Sequence, residues 1–293
     1  MSFEGKLFDN IVKFKEKIEE LSRQDIEKIE KLQEILAKNS IKRKNSFDIL
    51  RDLKVSGIDG SQISPLKDFG IPFGGVQAAR VWIHHGKGDY DIKYKSNIVY
   101  ESNIEFERFK LEMELVRDCL EISDVVFYDG SLSVLYTMEL SESLSRAYRR
   151  EIDSVLFLSE KYETPVIGYV DRSYIKELGF SIYDSYILAD YLNLYEFTNP
   201  IETKKSPLLA FYFKSNPTLP ARIEIPKWCE NLYRKIAEIV YAECVMGSTT
   251  GYPYILERAH KYAKIDEKEK SAFVRAVKSF KISFKYLSKM TVF

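Results

Sequence analysis

The sequence predicts an α/β protein, a mixed central sheet flanked by helices with a helical arm at the N-terminus. Three observations carry this. Short runs rich in Val, Ile, Phe and Tyr alternate with longer stretches of helical period. Two of those runs end in the same tripeptide, Asp59-Gly60-Ser61 and Asp129-Gly130-Ser131. The first 36 residues place their apolar positions three and four apart, as one side of a helix requires.

In chain order, Leu7, Ile11, Phe14, Ile18 and Leu21 form one stripe, and Ile26, Ile29, Leu32 and Leu36 a second. Ser22-x-x-Asp25 between them reads as a fresh helix start, so two helices are expected. They pack on the chain's own core or reach a partner subunit as a short coiled-coil seam. Lys38–Lys44, KNSIKRK, reads as a solvated basic connector. No composition break divides the remainder of the chain, which gives an arm over 1–44 and a single domain over 45–293. Strands are expected over 54–59, Gly75–His85, Asp91–Val99 (Lys and Tyr alternating), Asp124–Asp129, Pro165–Val170, Leu208–Lys214 and Arg222–Ile225. Helices are expected over Glu105–Ile122, Met138–Tyr162, Tyr174–Leu178 and Tyr183–Leu192, from Pro226 through Val245, and from Gly251 to Ile265, where Pro253 suits a first turn.

Asp-Gly is also the commonest signal for a tight hairpin, so each motif alone reads as well as a turn as it does as a site. The residues after each motif favour a site. A Pro- and Gly-containing loop runs on from Asp59, and a helical segment from Asp129; neither has the second strand that a two-residue turn needs. Two carboxylates at strand tips repel each other unless a proton or a cation lies between them. A third acid, Glu112, sits on the helix before the second strand. Asp and Glu without cysteine suit hard ions such as manganese or magnesium.

Composition limits the partners. Lys+Arg and Asp+Glu number 44 each, so any contact with nucleic acid comes from local patches. Cys119, Cys229 and Cys244 are far apart and lack metal or disulfide spacing, which predicts reduced thiols in a cytoplasmic protein. The first residues lack the apolar core of a signal peptide, and no stretch has the length of a membrane span.

Taken together and in this order, GIDGS (Gly57–Ser61), YDGSL (Tyr128–Leu132) with an acidic helix upstream, GYVDRS (Gly168–Ser173) and GYPYILERAH (Gly251–His260) resemble the NurA nuclease family over most of the chain. The resemblance implies a ribonuclease-H-like fold and a manganese-dependent DNA nuclease that trims 5′ ends and cuts single strands in end resection and repair. It also implies a homodimer, and a partner in the hexameric HerA-type ATPase that pumps DNA. By position it implies Asp59, Glu112, Asp129 and His260 as the catalytic, metal-holding set, with manganese as cofactor and magnesium as the other ion these ligands suit. Glu114 lies in the same region, but the separation 129 − 112 = 17 fits the family better. Asp171 stands where many members carry Lys, which moves phosphate holding to Arg172, with Arg222 expected to share it. Asp184 either matches a recurrent family acid or caps a helix. His84 and His85 have no counterpart and read as structural.

Two other readings compete. One is a non-catalytic adaptor of the same fold that clamps DNA or regulates the ATPase. The other is a phosphatase with a strand-tip Asp nucleophile, although such enzymes carry a second acid two residues on, where this chain has Ser61. Phe280, Phe284 and Tyr286, interleaved with Lys281, Lys285 and Lys289, read as an amphipathic tail packed on the domain or as a stacking surface for single-stranded bases.

Overall fold

A computed structural model of the chain describes residues 3–31, 36–41, 45–66, 72–133, 140–204, 206–247 and 250–278. Leu32, the 42–44 part of the basic run and the Phe280–Lys289 pattern lie outside them. The chain forms two compact units, each discontinuous in sequence: Met1–Leu50, Ser131–Thr137 and Ile167–Pro253 in the first, and Arg51–Gly130, Met138–Val166 and Tyr254–Phe293 in the second.

In the first unit, α1 (Phe3–Lys31) is one continuous helix, and the break expected at Ser22 does not occur. Asp25 caps nothing. It is buried, and its Oδ2 accepts from the N–H groups of Ser181 (2.7 Å) and Ile182 (3.2 Å), a tie across more than 150 residues. Ile18 and Leu21 pack on Leu36, Phe180 and Leu188, whereas Leu7, Phe8, Ile11 and Phe14 remain exposed. The strands run in the order β1 (Lys38–Ser40), β7 (Glu196–Thr198), β9 (Leu208–Phe213), β10 (Ala221–Pro226) and β6 (Val166–Val170), with β8 (Ile201–Glu202) also on β9. Every one of these pairings is antiparallel. β9 and β10 are buried at every position, the pattern of strands covered on both faces. The unit's other helices are α2 (Ser46–Leu50), α5 (Asp184–Tyr191) and, after a 3-10 turn at Lys227–Leu232, α6 (Tyr233–Met246). The helix expected over Tyr174–Leu178 is absent. The N–H groups of Glu177 and Leu178 donate to the Asp184 carboxylate instead of to helical carbonyls.

The second unit holds β2 (Lys54–Leu66), β3 (Phe73–His84), β4 (Asp89–Tyr100) and β5 (Val125–Asp129), in the order β5, β2, β3, β4. β2, β3 and β4 form an antiparallel meander, and β5 joins β2 in parallel, so this sheet is mixed. Its helices are α3 (Ile104–Cys119), α4 (Glu142–Lys161), α7 (Tyr254–Ala263) and α8 (Glu267–Lys278). Alternation along β2 separates two of them. A Cβ added at Gly57 would meet Ile255 of α7, and one added at Gly60 would meet Glu112 of α3. Residues 57 and 60 point to opposite faces, so α7 and α3 pack on opposite faces of this sheet. Ile58, Met113, Val116, Val126 and Ile152 of this unit are all fully buried.

The three cysteines are free and buried. No helix of the described residues is long and apolar enough to cross a membrane.

Candidate metal centre

Two strands and one helix bring the site together, all within the second unit. In the parallel pairing of β2 with β5, Ile58 is in register with Tyr128. The next residue on each strand is an acid, so Asp59 and Asp129 stand side by side on one face, about 4.8 Å apart along the sheet. β5 ends at Asp129, as expected of a strand tip. β2 does not end at Asp59. It continues to Leu66 because β3 still pairs with it, Asp59 opposite Ala79 and Ile63 opposite Gly75. Gly60 is therefore not a turn residue.

Gly57 explains the third member. Its missing side chain lets α7 lie against β2; a Cβ there would stand 2.6 Å from the Ile255 carbonyl oxygen. That approach carries His260 to the acids, with Nδ1 2.8 Å from Asp59 Oδ2. Asp59, Asp129 and His260 each offer a ligand atom within 4.8 Å of the others. Burial raises the pKa of Asp59 despite the hydrogen bonds from His260 and the Gly60 N–H. When ionised, Asp59 can only accept, and His260 is then the tautomer protonated on Nδ1, with the Nε2 lone pair of its exposed ring left for a ligand.

Glu112 belongs to the same locality but not to the trio. It reaches Gly60 from the α3 face, where a Cβ on that glycine would fall within 3 Å of its carboxyl carbon. The carboxylate accepts from Tyr128 Oη (2.9 Å) and lies 3.3 Å from Arg108 Nε. Burial pushes its pKa up to about 7, Arg108 and Tyr128 pull it down, and Asp59 and Asp129 push it up further. Glu114 points elsewhere, onto Lys95 at 3.0 Å. Tyr128 and Arg108 were missed from sequence. The signals were there: Tyr128 directly precedes Asp129, and Arg108 lies one helical turn before Glu112.

The two arginines expected to hold phosphate part company in the first unit. Arg172 is exposed, 3.9 Å from Asp171, on a cleft of about 540 Å³ that Asn216, Thr218 and Tyr252 also line. Arg222 is 0 % exposed, and its guanidinium is taken by Glu177 (2.7 Å), Glu224 (2.9 Å) and Tyr212 Oη (3.2 Å). The structure thus corrects the expectation for Arg222. A guanidinium enclosed by two carboxylates and a phenol is a buried counter-charge, with no surface on which to meet a phosphate. Glu224 in turn accepts from Ser133 N–H (2.9 Å), Ser133 Oγ (2.6 Å) and Ser131 Oγ (3.0 Å), holding the segment just past Gly130. Asp184, buried and hydrogen-bonded to Tyr212 as well as to the 177–178 backbone, is structural, its pKa raised by burial.

Among curated proteins no sequence matches the chain. Its fold is similar to that of the NurA nuclease from Sulfolobus solfataricus, with a TM-score of 0.69 at 17 % identity, covering 95 % of this chain and 97 % of that one. It is also similar to NurA bound to dAMP and manganese, with a TM-score of 0.57 at 11 % identity, covering 92 % and 96 %. The mixed sheet with its meander and one parallel strand is the ribonuclease-H-like arrangement that the motifs imply. A model of the NurA domain matches residues 53–265, most of the chain, and the chain belongs to the NurA domain family.

Proposed function

We propose that this protein is a metal-dependent deoxyribonuclease that hydrolyses phosphodiester bonds with manganese, magnesium being the second ion its donors suit. The observation that carries this is the convergence of Asp59, Asp129 and His260, two oxygens and one nitrogen, within 4.8 Å. Two carboxylates so close, one of them buried, favour a cation between them, and an imidazole beside them suits manganese better than magnesium. Solved structures of NurA with manganese, and with dAMP and manganese, support the same reading. Asp59, Asp129 and His260 would hold the ion. When bound, it supplies positive charge to the scissile phosphate and to the attacking water.

The chain's own groups do the rest. Asp59 orients His260, whose free Nε2 takes a ligand position or a proton from water. Glu112, titrating near neutrality, accepts or releases a proton on the far side of Gly60 and adds negative charge when ionised. Arg172 holds the DNA backbone without reading bases. By family, the activity is 5′-to-3′ exonucleolytic and single-strand endonucleolytic, acts in end resection, and is coupled to a HerA-type hexameric ATPase. The exposed Leu7, Phe8, Ile11 and Phe14 of α1 support a homodimer in which this stripe is covered. Against an inert clamp stands the intact donor trio.

The test is manganese-dependent degradation of a 5′-labelled single-stranded oligonucleotide. Asp59→Asn and Asp129→Asn should each lower kcat by at least about 10²–10³-fold. Burial disfavours the ionised Asp59, so the neutral isostere should melt no earlier than wild type. Wild-type protein inert with manganese, or an Asp129→Asn variant that cleaves at the wild-type rate, would overturn the assignment.

A further inference from the structure

The sheet face that carries Asp59 continues beyond it. Register places Ser61, Gln77 and Ser96 in the next row on that face, and Ile63, Gly75 and Ile98 in the one after. Over these two rows, beneath Ile265 and the α8 residues Glu269 and Phe273, opens a cleft of about 440 Å³. At about 3.3 Å per residue along β2, its near wall lies roughly 7 Å from Asp59 and its far wall roughly 13 Å. The cleft adjoins the metal centre and lies outside it.

Its lining describes its ligand. Gly75 forms the floor, and the half-buried Phe273 forms a side wall, steadied by Phe73 at 5.5 Å between ring centroids. The Gln77 amide donates to the Tyr262 and Ala263 carbonyls, which leaves its own carbonyl oxygen as an acceptor. Ser96 adds an exposed hydroxyl. Among the described residues the lining includes neither Lys nor Arg, and the charged residue there is Glu269. A phosphate would be repelled there. A flat, uncharged group with hydrogen-bonding edges fits, with an aromatic wall to stack on and an amide to meet its rim.

We propose that this cleft is a nucleobase subsite, which receives an unpaired base of the DNA strand being cleaved, one or two nucleotides from the scissile phosphate. The assignment rests on the nuclease reading and extends it: the strand lies along β2 and is gripped by a base as well as by its backbone. A preference for single strands results, because a paired base cannot enter.

The experiment uses the full chain in calcium and a short oligothymidylate carrying one 2-aminopurine, moved one position at a time. Fluorescence should be quenched at one or two neighbouring positions only. Phe273→Ala should weaken binding about tenfold and raise KM for manganese-dependent cleavage by a similar factor, with kcat unchanged. Gly75→Val is the second variant. Its Cβ meets Ile63 and Phe273 at an ordinary 3.6 Å and its γ-methyls raise the floor beyond that, so in a variant shown to be folded the same losses are expected even if Phe273→Ala fails to fold. Uniform quenching at all positions, or wild-type KM in a folded Gly75→Val variant, would overturn the subsite. If the wild type cleaves while quenching is uniform, the subsite alone fails. If quenching is position-dependent and no cleavage occurs in manganese, the nuclease reading alone fails.

Discussion

Replacing Glu112 by Gln should stabilise the metal-free protein at neutral and alkaline pH and leave it unchanged in acid. A carboxyl that titrates near 7 in the fold, against 4.5 for its ordinary value, favours the fold only while protonated. The folded state binds the extra proton between those two values, so stability falls as pH rises from about 4.5 to about 7 and then levels. The difference of about 2.5 corresponds to about 3 kcal/mol. The groups facing Glu112 are Arg108 from its own helix, Tyr128 and Asp129 from β5, and Asp59 from β2. Burial outweighs the arginine because the carboxylate is 2 % exposed. Thermal unfolding in a chelator from pH 5 to pH 8 should therefore show wild type losing ground to Glu112→Gln, by roughly 5–10 °C at the alkaline end. Added manganese should narrow the gap in wild type, since a cation beside Asp59 and Asp129 favours the ionised glutamate. Parallel melting curves for the two proteins across this range would refute the reasoning.

Two further substitutions probe how the site is held. Gly57→Ala pushes a methyl into the Ile255 carbonyl and must displace α7; about 1–3 kcal/mol of stability should be lost in urea titration. Manganese affinity should fall further than stability does, because His260 leaves with the helix. Arg222→Met leaves Glu177 and Glu224 buried without their counter-charge and should cost about 3–5 kcal/mol by the same titration, with Arg222→Lys a poor rescue because it lacks the planar fork.

Much of this arrangement is legible in the residues. The apolar run ending in Asp129, the helix bearing Glu112 and the helix bearing His260 each announce themselves locally. Convergence does not, because it depends on the register of β2 with β5 and on how close α7 can come. Asp59 reads as a strand tip because the apolar run ends there and a Pro- and Gly-containing stretch follows. In the fold, Gly60 instead makes room for Glu112, and the pairing with β3 carries the strand onward. Ser22-x-x-Asp25 imitates a helix start for a similar reason: Asp25 serves backbone donors far along the chain that no local pattern names. Arg222 reads as a surface cation because nothing in its own strand states that both faces are covered. One local signal is easily overlooked. Asp266 and Glu269 exchange side-chain and backbone hydrogen bonds at the start of α8, and their Asp-x-x-Glu spacing is that of a capping box.

The side-by-side placement of Asp59 and Asp129 comes from the pairing of Ile58 with Tyr128. Strand side chains alternate, so sliding either strand by a single residue would turn one acid to the opposite surface, with no intermediate setting. The chemistry therefore depends on an integer, the count of residues between the pairing and the acid, more than on which apolar residues fill the strands. Sequence can drift widely around such a site, whereas one inserted or deleted residue within either short run would silence it at a stroke.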